Sequence, residues 1–320
     1  MDFRHAKRFL KESKAYLITT HVHADGDAIA SILALRGIVE SVGARARIVL
    51  HDRRVDGKYR FLDGFGRIQP YSPSVFRRPL GHLIVADTPS VVRIGDVGGV
   101  IHEKTRILNI DHHESNSCFG DVNLVDRDAC ATSEIVFGLG RALRVRVDAD
   151  MATQLYTGIM FDTGRFRYSS LHRAFPTGAA LVALGADAQG AAEAVYGHRS
   201  YRSTRALGQA LCSLELHFTG RAATLVLPYA SLKEADDLDG IVDHAMSVPG
   251  VEVAALLKEE KPNRFRVSLR SRGHFDVNAL ARDFNGGGHP NAAGCQVEGD
   301  TKSVKRALLR SIGRRISRSR

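Results

Sequence analysis

The chain has 320 residues, 44% of them hydrophobic and 25% charged, with a formal net charge of +10 at pH 7. That composition is globular and argues against a disordered chain, and the length favours two domains with a core each. No apolar run reaches the roughly 20 residues of a membrane-spanning helix, and the N-terminal MDFRHAKRFLKESKAY lacks the apolar core and cleavage site of a secretory signal, so a cytoplasmic protein with no membrane contact is expected.

In chain order, AYLITTH reads as a strand, a helix follows from about Asp27 to Val42, and RARIVL, HLIVADT and TRILNIDHH read as further strands. Helices begin near Thr132 and Asp148, AFPTGAALVALGAD forms another, and AAEAVYGHRSYRSTRALGQAL turns basic and helical. A helical linker over 191–205 is expected to separate a first domain, 1–190, from a second, 206–320. In the second domain AATLVLP, VEVAALLKE and RFRVSLRS read as strands, with helices over Asp239–Val248 and Asp276–Phe284. VKRALLRSIGRRISRSR closes the chain as an amphipathic helix with a basic tail. The fold class is therefore α/β: a mainly parallel sheet with helices on both faces, then a smaller α/β domain. Ligands of such sheets sit beyond the carboxyl ends of the strands, where His21, Asp87 and Asp111 fall.

The stretch HVHADGDAIAS crowds His21, Asp25 and Asp27 behind an apolar strand. Two carboxylates held close repel each other unless a proton or cation intervenes, which points to a metal ion. Gly26 between them is expected to supply the positive φ of the bend. The competing reading makes Asp25 an ordinary N-cap. Asp87 in LIVADT, Asp111, His112 and His113 in ILNIDHH, and Asp162 in GIMFDTGRF recur at the ends of further elements. Cys118, Cys130, Cys212 and Cys295 show no C-x-x-C spacing and read as free thiols. The positive charge suits polyanionic partners, although a solvated Arg face explains it equally well. The basic tail likewise reads as a frayed end or as an arm for longer RNA.

The motifs HVHADGDA, VADT, IDHH and FDTGRFRYS, followed by GGGHPNAAG at 286–294, resemble those of the DHH/DHHA1 phosphoesterase superfamily, in particular its stand-alone nano-RNase and pAp phosphatase branch. The likeness spans nearly the whole chain, with Ala24 standing where relatives commonly have Pro. The resemblance implies a DHH catalytic domain and a DHHA1 substrate-binding domain, with the active site in the cleft between them. It implies two divalent cations, Mn²⁺ first with Mg²⁺ or Co²⁺ as alternatives: one on His21, Asp25 and Asp87, the other on Asp27, Asp87, His112 and Asp162. Asp87 would bridge them, Asp111 would orient His112, and His113 would contact a phosphate oxygen or protonate the leaving group. The chemistry implied is two-metal phosphoester hydrolysis by a bridging water.

In the second domain, the N–H groups of Gly286, Gly287 and Gly288 are expected to stay open to an anion, with His289 beside them. Arg264, Arg270, Ser271 and Arg272 would grip a terminal phosphate. The expected substrates are short RNA or DNA oligonucleotides, dinucleotides and pAp-type nucleotides cleaved to mononucleotides, with a homodimer as one assembly open to the chain. The runner-up is a cyclic-dinucleotide phosphodiesterase acting on c-di-AMP or pApA. A silent nucleotide-binding regulator and a family II inorganic pyrophosphatase rank lower.

Overall fold

The computed structural model describes residues 1–73, 80–168, 170–197, 199–234, 238 and 240–316. Ser169 at the close of the fourth motif, His198 in the expected linker, Asp239 at the start of an expected helix and the last four residues of the basic tail lie outside the described residues. The chain divides into two compact units, 1–198 and 199–320.

The first unit is built on a six-stranded sheet of β1 (Ala15–Thr19), β2 (Arg45–Leu50), β3 (Ile68–Pro70), β4 (His82–Ala86), β5 (Arg106–Asp111) and β6 (Val122–Val125), in the order β3-β2-β1-β4-β5-β6. Every pairing is parallel, with Leu17 opposite Leu83 and Leu83 opposite Ile107. The order reverses between β1 and β4, and a ligand crevice is expected beyond the carboxyl ends of those two strands. Asp87 follows β4 directly, and His21 lies two residues beyond β1.

The helices are α1 (Arg4–Phe9), α2 (Gly26–Ser41), α3 (Thr132–Ala142), α4 (Ala149–Asp162), α5 (Leu171–Ala183) and α6 (Ala188–Ala192). All contribute to one core, which takes Tyr16, Ile18, Ile84, Leu108 and Ile110 from one face of the sheet. α2 is buried on all sides over residues 26–35, as the centre of such a layer must be. The other face, with Leu17, Leu83, Val85 and Ile107, packs instead on Ile94, Val97 and Val100 of a 3₁₀ segment, Val91–Val100. Helices on both faces were the expectation. Among the described residues this face is covered by the 3₁₀ segment, with its glycine-rich GDVGGV, rather than by an α-helix, and Gly95 there takes φ 58°.

Gly26 does not supply a positive φ: it is the first residue of α2, and the left-handed angles fall on His23 (58°) and Asp87 (52°). Its smallness serves packing, since a Cβ there would lie 2.5 Å from the Phe161 ring of α4. Gly158 does the same for the site, where a Cβ would stand 2.0 Å from Ser133 Oγ and 2.6 Å from Asp27 Oδ1. Two glycines thus bring α2, α3 and α4 together at one point.

The second unit holds β7 (Glu215–His217), β8 (Ala222–Leu227), β9 (Val253–Lys261), β10 (Arg264–Ser271), β11 (Gly287–His289) and β12 (Ala292–Glu298), in the order β11-β12-β10-β9-β8-β7. β8 and β9 pair in parallel and the other pairs are antiparallel. Its helices are α7 (Tyr201–Cys212), α8 (Tyr229–Glu234), α9 (Ile241–Met246), α10 (Val277–Arg282) and α11 (Thr301–Ile316). β10 alternates strictly, sending Phe265, Val267 and Leu269 into a core shared with Leu280 of α10 and Leu308 and Ile312 of α11. The opposite face of β8 and β9 packs on α7 and α9. Among the described residues no helix is long and apolar enough to cross a membrane.

Gly158→Ala should destabilise the protein by about 1–3 kcal/mol through overpacking against Ser133 and Asp27. Urea denaturation checks this, and unchanged stability would show that the helices do not meet as closely as described.

Candidate metal centre

Five elements of the first unit, β1, α2, β4, β5 and α4, deliver acids and imidazoles to one point. His21 lies two residues beyond β1, and its Nδ1 lies 2.9 Å from Val22 O, which makes Nδ1 a donor and turns Nε2 inward, 3.6 Å from Asp87 Oδ2. Asp25 is the N-cap of α2, as the competing reading held: its Oδ1 accepts from the N–H groups of Asp27 and Ala28, each at 3.1 Å. Capping uses one oxygen. The carboxylate still lies in a donor group with His21 and Asp87 whose ligand atoms fall within 4.8 Å of one another.

Asp27, two residues further on, is buried and reaches across to α3. That helix has no side-chain cap of its own, since Ala131 precedes it. Asp27 supplies the cap from another helix, accepting at Oδ2 from Thr132 N (2.6 Å) and at Oδ1 from Ser133 N (3.0 Å), Ser133 Oγ (2.5 Å) and Ser31 Oγ (3.2 Å). With Oδ1 saturated, Oδ2 is the oxygen left to bind anything else.

Asp87 sits at the centre. Its left-handed backbone turns the side chain back over the strand ends, a strain of order 1–3 kcal/mol that the surroundings hold in place. Oδ1 accepts from Thr132 Oγ1 at 2.8 Å and lies 3.7 Å from His112 Nε2, while Oδ2 faces His21. His112 directs Nδ1 to Ala129 O at 3.3 Å and Nε2 to Asp162 Oδ2 at 3.4 Å. Asp27, Asp87 and His112 form a second donor group within 4.8 Å.

The balance of charge favours a cation. Burial, with the negative charge of Asp87 added, pushes Asp27 up to about 8, and the same two causes outweigh the attraction of His112 to push Asp162 up to about 6. Burial opposes ionisation of Asp87 too, but His21, His113 and His112 around it hold it well below the carboxylate range. Burial works against His21 and His112 as cations, yet the surrounding carboxylates raise both to about 9. Protons therefore occupy the cluster where nothing else supplies positive charge. The donors fit hard divalent ions: carboxylate oxygens and imidazoles, with no thiol in either group. The N···O gaps of 3.4–3.7 Å around His112 and His21 are longer than an ordinary hydrogen bond, so these donors could turn to a cation between them.

One expected role is corrected. Asp111 does not orient His112; its Oδ1 lies 2.7 Å from His113 Nδ1, and Ala129 O orients His112 instead. Asp111 is itself held by Asn116 Nδ2 at 2.5 Å, and Asn116 also donates to Asn109 Oδ1. Neither asparagine, nor Thr132 and Ser133, was singled out from the sequence. The polar helix start ATSE was the available signal.

In the second unit the open amides are corrected as well. Gly286 N donates to Ala281 O at 2.9 Å and Gly288 N to Asn278 Oδ1 at 3.1 Å, while Gly287–His289 pairs with β12 as a strand. The glycines are there for close approach: a Cβ on Gly286 would meet Gly294 O at 2.2 Å, and Gly288 has φ 151°. Ser271 is buried, its Oγ donating to Phe275 O at 2.6 Å, and Arg272 donates to Met246 O. Arg264 and Arg270 lie on the opposite face of β10, bonded to Gln296 at 3.0 Å and facing Asp243 at 3.5 Å respectively.

Residues 15–159 match the DHH family N-terminal domain, and residues 223–317 match the DHHA1 domain. The chain belongs to the DHH/DHHA1 family of phosphoesterases. Over 307 residues it is 31% identical to the bifunctional oligoribonuclease and PAP phosphatase NrnA of Thermus thermophilus, covering 94% of this chain and 90% of that protein. Among solved structures it is similar to an exopolyphosphatase-related protein from Bacteroides fragilis, with a TM-score of 0.86 and 24% identity over 97% of this chain and 95% of that one. It shares its fold with RecJ of Thermus thermophilus, solved in complex with Mn²⁺, at a TM-score of 0.55 and 13% identity over 98% of this chain and 53% of that one.

A pH dependence follows from the protons that substitute for cations. His21 and His112 are raised to about 9, so the stability they lend the chelated protein is complete below about 6.5 and is lost as pH rises toward 9. Asp27, raised to about 8, acts in the same direction, whereas Asp87 is ionised across this window and adds no slope. The Tm difference between Mn²⁺-loaded and chelated protein should therefore widen by several degrees from pH 6 to pH 9. A narrowing difference would contradict this electrostatic account.

Proposed function

We propose that this protein is a divalent-cation-dependent phosphoesterase that hydrolyses short oligonucleotides and pAp-type nucleotides to mononucleotides. The observation that carries the reading is the position of Asp87, which belongs to both the His21–Asp25 donor group and the Asp27–His112 donor group. One carboxylate shared by two groups is what a pair of adjacent cations requires.

His21, Asp25 and Asp87 would hold one cation, and Asp27, Asp87, His112 and Asp162 the other, with Mn²⁺ favoured. When bound, such a pair polarises the phosphoryl oxygens and activates water at neutral pH. The chain's own residues do the rest. Thr132, Ser133 and Ser31 fix Asp27 and Asp87 in place by hydrogen bonds, so little reorganisation is needed when charge develops. Burial works against a charged His113, but the bond from Asp111 to its Nδ1 and the negative charge of Asp87 raise the imidazole above its usual range. In its protonated form His113 would donate to a phosphate oxygen or to the leaving group.

In the second unit, Arg270 and His289, which flank Ala292 of β12 from either side, are proposed to take a second phosphate of the substrate; Arg264 lies six residues along β10, about 20 Å away, and does not share it. Buried Ser271 and the capped amides of Gly286 and Gly288 act as the scaffold for these groups. The similarity to a protein named as an oligoribonuclease and PAP phosphatase supports this substrate class.

Initial rates with Mn²⁺ on pAp, a linear dinucleotide, a cyclic dinucleotide and a longer single strand test the reading. The first two should be turned over fastest; preference for the cyclic dinucleotide would replace it with the cyclic-dinucleotide phosphodiesterase. Asp87→Ala should lower kcat/KM by about 10³-fold or more with the fold retained, and full activity in that variant would defeat the proposal.

A further inference from the structure

The last helix carries an exposed face that the phosphoesterase site does not use. α11 buries Val304, Leu308, Ile312 and Ile316 in its own unit. Its outer side presents Lys302, Arg306 and Arg310, one per turn and about 6 Å apart along the axis. Among the described residues none of the three side chains is in an ion pair, Lys302 meeting Asp300 only through its backbone N–H at 2.9 Å, whereas neighbouring Lys305 is paired to Glu215 at 2.5 Å. Like charges at i and i+4 destabilise a helix by about 0.2–0.5 kcal/mol per pair, and a lysine in the first turn also opposes the helix dipole. The row is locally unfavourable.

A solvated basic face would explain the charges but not the aromatic beside them. Phe218 forms the tip of the β7–β8 hairpin, with φ 53° and 38% of its surface exposed. A left-handed φ on a bulky residue is an outlier that glycine or asparagine would relieve. The ring lies over Gly313 of α11, where a Cβ would come within 2.9 Å of it. Phe218 and Leu309 line a shallow groove of about 520 Å³ whose rim is Lys302, Arg306 and Arg310. An aromatic platform bordered by a row of unpaired cations is the arrangement that holds single-stranded nucleic acid, bases on the ring and phosphates on the cations.

We propose that this groove binds the backbone of single-stranded nucleic acid, with one base stacked on Phe218 and successive phosphates on Lys302, Arg306 and Arg310. The apolar side of α11 is already buried in its core, so the helix has no face left to insert into a lipid surface, which disfavours a membrane as the occupant. The site needs no cation and no turnover, so it stands or falls apart from the hydrolytic reading.

Fluorescence anisotropy of a labelled twelve-nucleotide oligo(A) RNA, with the full chain in chelator to prevent hydrolysis, tests the proposal. The variant K302E/R306E/R310E should bind about tenfold or more weakly, and its salt slope should fall by about 2, three single-strand phosphate contacts at about 0.7 each. Phe218→Ala should weaken the RNA about fivefold or more while leaving inorganic polyphosphate unchanged, and Phe218→Tyr should restore it. Dinucleotide hydrolysis should be unaltered in all three variants. RNA affinity of the triple variant within twofold of the parent overturns the proposal, as does binding to phosphatidylglycerol vesicles through these residues without binding RNA. Equal loss of RNA and polyphosphate in Phe218→Ala overturns the stacked base.

Discussion

The first unit is organised around buried negative charge that its own protein atoms only partly neutralise. Asp27 and Asp87 are almost wholly removed from water, with Asp25 and Asp162 close by. Burying one ionised carboxylate is unfavourable by several kcal/mol unless it is paired, and like charges side by side add to that. Three imidazoles, a helix N-terminus and several hydroxyls offset part of the penalty. The remainder is what makes the cluster a receptor for cations.

The fold supplies this arrangement by several local devices acting together. The parallel sheet ends two strands side by side at its switch point, and a left-handed residue at Asp87 turns the carboxylate into the gap. α3 gives its first N–H groups to Asp27 in place of a cap of its own, which makes one carboxylate serve helix stability and site geometry at once. Gly26 and Gly158 let α4 approach closely enough to bring Asp162 within reach of His112. Behind the front residues, Asn109, Asn116 and Asp111 form a hydrogen-bonded chain that ends on His113. A buried network of this kind holds its members in one arrangement because each polar group depends on the next.

Much of this was legible in the sequence. The strands AYLIT and HLIVA and the helix at Thr132 follow from apolar runs, the helices at Gly26 and Ala149 also from their capping residues Asp25 and Asp148, and acids or imidazoles at the ends of these elements marked the crevice. Three kinds of information were not. A short edge strand such as Ile68–Pro70 has too few residues for its period to emerge, and the 3₁₀ layer over Val91–Val100 has an apolar residue at every third position, a period that matches neither an α-helix nor a strand and is interrupted by glycines. Contacts between distant residues, such as Asp27 with Ser133, leave no trace in either local pattern. Glycines were misread for a related reason: Gly26, Gly286 and Gly288 looked like sources of turns or open amides, whereas their lack of a side chain matters because another chain segment lies against them. Asp25 shows the converse, since its capping and site readings both apply to the same carboxylate.

The central claim is that cations displace protons from one shared acidic cluster. Calorimetric titration of chelator-stripped protein with Mn²⁺ at pH 7, in two buffers of different ionisation enthalpy, measures the ions bound and the protons expelled together. The account predicts two ions per chain, with protons released because His21, His112 and Asp27 hold them beforehand. Binding of no ion, or binding of two without proton release, would contradict it.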